Sequence, residues 1–312
     1  MSAPAAAVVA RQRLRVGMVG LGGIARRVYL PVLGTRPDLD LRVCTRNQAV
    51  LDDVCAAYRI AHGYTELSAM LAEGLDAVFV HAATGAHVDV VRAVLEAGIP
   101  VYVDKPLAAD VDDARDLVEL ARRQRTSLFV GFNRRFAPAY RALADEEFSC
   151  AVMQKHRVGF PDDARRVIFD DFIHVIDTLR FLIDEARLVD VHSVRIAGDL
   201  ALVSVVLAGP GRVAVGVMNR DGGATEEVLE IHGPGVKTSV RDLTEVIEDR
   251  EGRREIRRLD EWTPVEERRG FVAMCDFFVD AVRAGYRLDA GDALRTHELC
   301  DEVLRAVSAR TP

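Results

Sequence analysis

Apolar and polar positions alternate along the first 131 residues in a way that predicts a repeated strand–helix unit. Short apolar runs predict strands at 15–20, 40–45, 77–82, 100–103 and 127–131, with a weaker one near 59–63. Between them, apolar residues recur with helical period at 23–33, 48–58, 66–72, 86–97 and 110–124. Strands that alternate with helices predict a doubly wound parallel α/β sheet with right-handed crossovers.

After Gly131 the pattern changes to one strand, one long helical run and a block of strands. The predicted elements are a strand at 151–157, a helix at 163–183, strands at 188–197, 200–208, 211–219, 226–232, 236–241 and 244–257, and helices at 266–284 and 291–309. We therefore expect a Rossmann domain over residues 1–132. An α+β domain with a mostly antiparallel open sheet follows over 133–312, and its last helix can dock back on the first domain.

Composition narrows the class of protein. The chain has 312 residues, 49% of them hydrophobic, and no apolar run of membrane-spanning length. A net charge of −7 argues against nucleic-acid binding. The first thirteen residues lack a basic region before a short apolar stretch, which predicts a frayed terminus and no signal peptide. The five scattered cysteines, without CxxC spacing, predict reduced cytoplasmic thiols and no zinc site.

A glycine turn lies between the first predicted strand and helix, with the pattern Gly20-x-Gly22-x-x-Ala25. Gly20 allows a sharp turn, Gly22 lets backbone N–H groups approach a pyrophosphate, and Ala25 permits close helix–sheet packing. In this strand–turn–helix context the pattern predicts a dinucleotide site. Its residues are Gly20, Gly22, Gly23, Ile24 and Ala25.

The second predicted strand suggests which nicotinamide cofactor binds. It ends in Thr45-Arg46, where an NAD site usually carries an acidic residue for the ribose 2′-hydroxyl. A hydroxyl followed by an arginine suits a 2′-phosphate, so we expect NADP(H) to be favoured over NAD(H). The alternative is that Arg46 stacks on the adenine without discriminating.

Two motifs carry candidate catalytic groups. Lys105, in Asp104-Lys105-Pro106, follows the fifth strand at the sheet edge where ligands of this architecture bind, although a Lys-Pro pair is more often a simple turn. We expect Asp104 and Lys105 to contact the cofactor as well. Asp170-x-x-x-His174-x-x-Asp177 places three polar side chains on one helix face. That face can serve acid–base chemistry, a core hydrogen-bond network around His174, or a metal site, for which no further ligand pair is present.

Basic residues of the second domain, together with Asp177, are candidate substrate contacts. Lys155 and Arg157 share one face of a strand. Facing inward they would indicate an acidic or phosphorylated substrate, and facing outward they would be solvated. Arg134 and Arg135 either face the cleft or pair with acids across the interdomain hinge.

These motifs together resemble the Gfo/Idh/MocA family of NAD(P)-dependent oxidoreductases along essentially the whole chain. The residues that carry the resemblance are the glycine loop, Asp104-Lys105-Pro106, the run Gly131–Tyr140, Lys155-His156-Arg157 and the Asp170–His174 string, and they are most similar to MviM-like members. The resemblance implies hydride transfer at a secondary alcohol of a sugar, cyclitol or related small molecule. Two departures are Asp104, where the family usually has Glu, and Phe172, where many members have Gly and where the larger ring can narrow the pocket.

The resemblance also implies roles for the residues. His174 accepts the hydroxyl proton during oxidation, Lys105 stabilises the alkoxide, and Asp170 holds the imidazole; from the sequence alone, either Lys105 or His174 can be the formal base. Thr84 and His87 line the ribose–nicotinamide path, although His87 can equally be a helix-start hydrogen-bonder. We expect a polyol or keto-sugar substrate, no metal, no nucleic acid and no membrane, and a homodimer or higher oligomer through the second sheet. The alternatives are a non-catalytic NAD(P)-binding sensor on this scaffold and a ketoreductase that uses the same residues in reverse.

Overall fold

The first sheet has the strand order of a dinucleotide-binding fold. The computed structural model describes residues 13–309, so the expected frayed terminus lies almost wholly outside the described residues. Six parallel strands are arranged in the order β3-β2-β1-β4-β5-β6. They are β1 (Leu14–Val19), β2 (Leu39–Cys44), β3 (His62–Tyr64), β4 (Ala77–Val80), β5 (Val101–Asp104) and β6 (Leu128–Gly131). The first predicted domain class is confirmed.

Helices cover both faces of this sheet. They are α1 (Leu30–Leu33), which continues a π-helical turn at Ala25–Tyr29, α2 (Gln48–Tyr58), α3 (Leu67–Leu71), α4 (His87–Glu96) and α5 (Val111–Gln124). Short helical turns at Thr84–Ala86, Asn133–Phe136 and Ala142–Asp145, with α6 (Pro138–Arg141), complete the first half and the link to the second.

The second sheet has eight strands, in the order β14-β13-β12-β11-β7-β10-β9-β8, and only the β7–β10 pair is parallel. The strands are β7 (Cys150–His156), β8 (Arg187–Ile196), β9 (Asp199–Gly209), β10 (Arg212–Asn219), β11 (Glu226–Gly233), β12 (Val236–Arg241), β13 (Glu245–Arg250) and β14 (Arg253–Arg258). This confirms the predicted mostly antiparallel sheet.

The remaining helices join the two sheets. They are α7 (Ala164–Arg166), a π-helical segment (Val167–Phe172), α8 (Ile173–Leu182), α9 (Val265–Arg268), α10 (Phe271–Arg283) and α11 (Gly291–Ala309). Helix α10 packs on the first sheet, where Phe278 meets Phe79 edge to face at 5.2 Å. Helix α11 contacts both α5 and α8. Late chain segments therefore complete the core of the first half, and the boundary at 132/133 stays a prediction.

Two predicted elements are divided in the structure. The strand expected over 244–257 is the hairpin β13–β14, because Glu251 and Gly252 turn at φ of 50° and 75°. The helix expected over 266–284 breaks at Gly270, whose φ is 81° and whose missing Cβ would lie 2.4 Å from the carbonyl oxygen of Asn133. Within residues 13–309, none of the helices has the length and apolarity needed to span a membrane.

Candidate active site

A cavity of about 580 Å³ lies between the two halves of the protein. It is lined by residues that follow β4 and β5 in the first sheet and by residues of β7, the π-helical segment and α8 in the second half. Among the predicted site residues, the cavity wall includes Ile24, Thr84, His87, Asp104, Lys105, Arg134, Lys155, Arg157, Asp170 and His174.

The glycine loop has the geometry that a pyrophosphate requires. Gly20 has φ of 89°, and a Cβ there would lie 2.5 Å from the backbone nitrogen of Ala82, so only glycine fits the turn. A Cβ on Gly22 or Gly23 would instead meet open space, because no atom of residues 13–309 outside the adjoining backbone lies within 4 Å of either position. The helix begins there, with the Arg26 N–H donating to the Gly22 carbonyl over 3.0 Å. These residues therefore suit a dinucleotide.

Thr45 and Arg46 lie at the carboxyl end of β2, on the same sheet edge. The backbone N–H of Thr45 donates to the Tyr64 carbonyl over 3.1 Å, while the Arg46 side chain is exposed and makes no hydrogen bond or ion pair within residues 13–309. The acidic Asp38 and Asp40 lie at the other end of β2, where each pairs with an arginine. Arg46 is therefore available to a ligand.

His87 joins two loops of the cavity wall. Its Nδ1 lies 2.7 Å from the Pro106 carbonyl oxygen, and its Nε2 lies 3.0 Å from the Ala82 carbonyl oxygen. The ring is only 2% exposed. Thr84 lies on the helical turn between these loops. His87 thus holds the loop after β4 against the loop after β5, as a helix-start hydrogen-bonder that also lines the cavity.

The Asp104 carboxylate accepts hydrogen bonds from Tyr29 and from the backbone of Lys105, the next residue in the sequence. Its Oδ1 accepts from the Lys105 backbone N–H over 2.9 Å and from the Tyr29 hydroxyl over 3.3 Å. Burial raises the pKa of Asp104, although the positive charge of Lys105 opposes this shift. The Lys105 Nζ donates to the Asp170 backbone carbonyl over 2.6 Å. That bond connects the first sheet to the π-helical segment across the cavity.

Asp170 and His174 both line the cavity but do not pair with each other. The helix is π-helical from Val167 to Phe172, so positions four residues apart do not stack as they do in an α-helix. No hydrogen bond joins the exposed Asp170 carboxylate to the imidazole in the described chain. The structure thus contradicts the expectation that Asp170 holds His174. Burial lowers the pKa of His174 well below its usual range, and the charges of Arg134 and Lys105 lower it further.

Asp177 and Phe172 are not part of the cavity wall, against expectation. Asp177 is 1% exposed, accepts two bonds from Arg135 at 2.9 and 2.6 Å, and accepts a third from the Thr296 hydroxyl at 2.9 Å. Asp177 therefore connects Arg135, in the turn Asn133–Phe136, to Thr296 of α11. It lies about one helical turn after His174, which faces the cavity. Phe172 is fully buried in the core and does not narrow the pocket.

Lys155 and Arg157 face inward, which resolves the two orientations that the sequence left open. Both contact the Asp171 carboxylate, with the Arg157 Nε at 3.0 Å. Arg220 donates to the same carboxylate at 2.9 Å. Burial, reinforced by the positive charge of Arg134, lowers the pKa of Lys155 to about 7 even though Asp171 favours the charged form.

Arg134 faces the cleft, and its acidic partner lies in its own half of the protein, so it does not pair across the interdomain hinge. It lines the cavity and binds Glu227 through two nitrogens, with the Nε at 2.7 Å, and Tyr140 donates to the same carboxylate at 3.0 Å. Asp171, Glu227, Arg220 and Arg269 were missed by the sequence analysis. The only available signal was the position of Asp171 beside Asp170, because the other three are isolated on strands and loops. Within residues 13–309, no group of three or more potential metal ligands is assembled.

Comparison with known proteins identifies the family. A family model described as "Oxidoreductase family, NAD-binding Rossmann fold" matches residues 14–132, and one described as "YceM-like, C-terminal domain" matches residues 138–251. The chain is 38% identical over 280 residues to YceM of Salmonella typhimurium, which covers 86% of this chain and 90% of that protein. The chain belongs to the Gfo/Idh/MocA oxidoreductase family. The resemblance that the motifs predicted is therefore confirmed.

Other relatives place this Gfo/Idh/MocA protein among dehydrogenases. A Gfo/Idh/MocA oxidoreductase from Vibrio cholerae superimposes with a TM-score of 0.89 at 32% identity, covering 95% of this chain and 99% of that one. The dehydrogenase MviM from Clostridium difficile gives 0.89 at 26% identity, covering 95% and 100%. The inositol 2-dehydrogenase of Paracoccus denitrificans is 31% identical over 196 residues, 55% of each chain. The protein is thus an NAD(P)-dependent oxidoreductase, as predicted.

Proposed function

We propose that this protein transfers hydride between NADP(H) and a secondary alcohol or ketone of a sugar, a cyclitol or a related small molecule. The single observation that carries the proposal is the cavity itself, which has Lys105 and His174 in its wall together with residues beside the glycine loop. Residues 1–132 are proposed to bind the dinucleotide and 133–312 to contribute the substrate contacts. The names of the dehydrogenase relatives support this substrate class.

The nicotinamide, when bound, accepts or supplies the hydride. His174 acts on the substrate oxygen as the proton acceptor in the oxidative direction, because its lowered pKa keeps the imidazole neutral at pH 7. Lys105 stabilises the negative charge that develops on that oxygen. The backbone carbonyl of Asp170 holds the Lys105 ammonium in the cavity. Asp170 therefore positions Lys105 and does not orient His174.

Paired variants test the catalytic roles. We expect Lys105→Met and His174→Gln each to lower kcat by about 10²- to 10⁴-fold, the range for a lost acid–base group. Both variants should keep the wild-type cofactor affinity, measured by reduced-nicotinamide fluorescence. A variant that retained turnover would contradict its assigned role. Wild-type protein that binds cofactor but oxidises no member of a polyol panel would favour the non-catalytic sensor.

NADP(H) is proposed over NAD(H) because Arg46 is exposed at the carboxyl end of β2 without a hydrogen-bond or ion-pair partner in the described chain, and its neighbours in the sequence, Thr45 and Asn47, are not acidic. Parallel titration with NADPH and NADH tests this choice. Tighter binding of NADPH supports the proposal. Tighter binding of NADH overturns the cofactor choice and leaves the dehydrogenase function in place.

A homodimer through the second sheet is also proposed. Val189, Val194 and Val213 are each 44–58% exposed on β8 and β10, which leaves apolar side chains on this sheet. Sedimentation that gave a monomeric mass would refute it. The five cysteines, none of them in a disulfide, support a cytoplasmic location for the enzyme, which cell fractionation can test.

A further inference from the structure

Four basic side chains of the second half form a group at the cavity wall, here called the basic cluster: Arg134, Lys155, Arg157 and Arg220. Three of them converge on one carboxylate, that of Asp171, and the fourth binds Glu227. The side chains of Arg134 and Lys155 are only 6% and 3% exposed. Three arginines and Lys155 therefore share two carboxylates, and Arg134 and Lys155 do so where little water reaches them, so unbalanced charge is costly there.

The rest of the cavity wall does not balance this charge. Of its four acidic residues, Asp171 alone bonds to the basic cluster in the described chain. Asp104 accepts from the Lys105 backbone N–H, and Asp162 pairs with Arg166. Asp170 accepts from the Lys105 Nζ through its backbone carbonyl. The cavity is thus positive although the whole chain carries −7. Because the chain as a whole is acidic, the excess of positive charge is a local property of the cavity.

The basic cluster also has hydrogen-bond donors to spare. Arg157 uses its Nε and Nη2 on Asp171, and Arg134 uses its Nε and Nη2 on Glu227. The Nη1 of each arginine makes no hydrogen bond to the described chain. Arg220 likewise bonds through Nε and Nη1, and its Nη2 has no acceptor among residues 13–309. Guanidinium nitrogens arranged in this way match the oxygens of a carboxylate or a phosphate.

We propose that the basic cluster binds an oxyanion carried by the substrate, so that the enzyme acts on a hydroxyl-bearing acid or phosphate ester and not on a neutral sugar or cyclitol. This inference rests on the proposed function, because it names the substrate class for the same cavity. The oxyanion binds on the second half, against β7 and the loop after β10. The reacting carbon then lies towards Lys105 and His174, which share the cavity with the cluster.

The ionisation of Lys155 is consistent with an incoming anion. Its pKa is lowered to about 7 by burial and by neighbouring cations. A bound oxyanion adds negative charge and favours the protonated form. Binding is therefore coupled to proton uptake near neutral pH.

Calorimetric titration with three small probes of equal carbon number tests the proposal: glycerate, glycerol 3-phosphate and glycerol. The wild type, saturated with NADP⁺ at fixed ionic strength, should bind at least one of the two anions about tenfold or more tightly than glycerol. The tighter of the two anions identifies the carboxylate or the phosphate as the natural group. Undetectable binding of both anions, or equal binding of glycerol, overturns the proposal.

Two variants localise the effect. Arg157→Gln should weaken binding of the preferred anion about tenfold and leave glycerol unchanged. Asp171 retains two cations in this variant, so the fold should hold, as its Tm will verify. Arg165→Gln is the matched control, because Arg165 is exposed and lies outside the cavity wall. If Arg157→Gln binds the preferred anion as tightly as the wild type does, the basic cluster is not the anion site.

Turnover in the same samples separates the two proposals. Anion binding without reduction of NADP⁺, for these probes and for a wider panel of hydroxy acids, polyols and phosphate esters, would refute the dehydrogenase function and leave the oxyanion site in place. Oxidation of neutral polyols without anion binding would refute the oxyanion site and leave the dehydrogenase function in place.

Discussion

Replacing Asp177 by Asn should destabilise the protein without impairing catalysis. This side chain is 1% exposed and accepts three hydrogen bonds, two from Arg135 and one from Thr296. An amide retains one acceptor oxygen but turns N–H groups towards the guanidinium. Removing one partner of a buried ion pair costs about 3–5 kcal/mol. At about 2 °C per kcal/mol for a chain of this size, the Tm should fall by about 6–10 °C.

Differential scanning calorimetry measures this loss, and Asp112→Asn is the control. Asp112 pairs with Arg115 at the surface, where the two side chains are 81% and 41% exposed, so this exchange should cost only about 1 kcal/mol or less. Both variants should keep the wild-type kcat/KM at a temperature where they are folded. A Tm for Asp177→Asn within about 2 °C of wild type, combined with a lower kcat/KM, would refute the structural role and return Asp177 to the substrate site.

Three further predictions follow from the site. Gly20→Ala should unfold or strongly destabilise the first sheet, because its Cβ would lie 2.5 Å from the backbone nitrogen of Ala82. Gly22→Ala should keep the wild-type Tm, because its Cβ meets open space, and should lose about tenfold or more in cofactor affinity. Arg46→Ala should weaken NADPH binding about tenfold and leave NADH unchanged in the same fluorescence titration; an equal loss for both cofactors would indicate stacking on adenine. KM for an anionic substrate should rise as pH increases above about 7, because Lys155 loses its proton there, and Lys155→Met should abolish this dependence in a pH profile at constant ionic strength.

The sequence was sufficient for the features that depend on local geometry. The parallel sheet follows from the alternation of buried runs and amphipathic helices, which needs no knowledge of distant contacts. The glycine loop follows from backbone conformation, because the turn at Gly20 requires a positive φ next to a crowded strand end. Lys105 lies at the ligand edge because every parallel strand of this fold ends on the same side.

Tertiary structure alone decided which polar side chains pair with which. The sequence placed Asp170, His174 and Asp177 on one α-helical face, but only Asp170 and His174 line the cavity, because Asp177 is held by Arg135 and Thr296. Arg134 and Glu227 are 93 residues apart, and Asp177 and Thr296 are 119 apart. No local period can reveal such partners, because a buried charge is satisfied by whichever opposite group the packing of distant segments brings near.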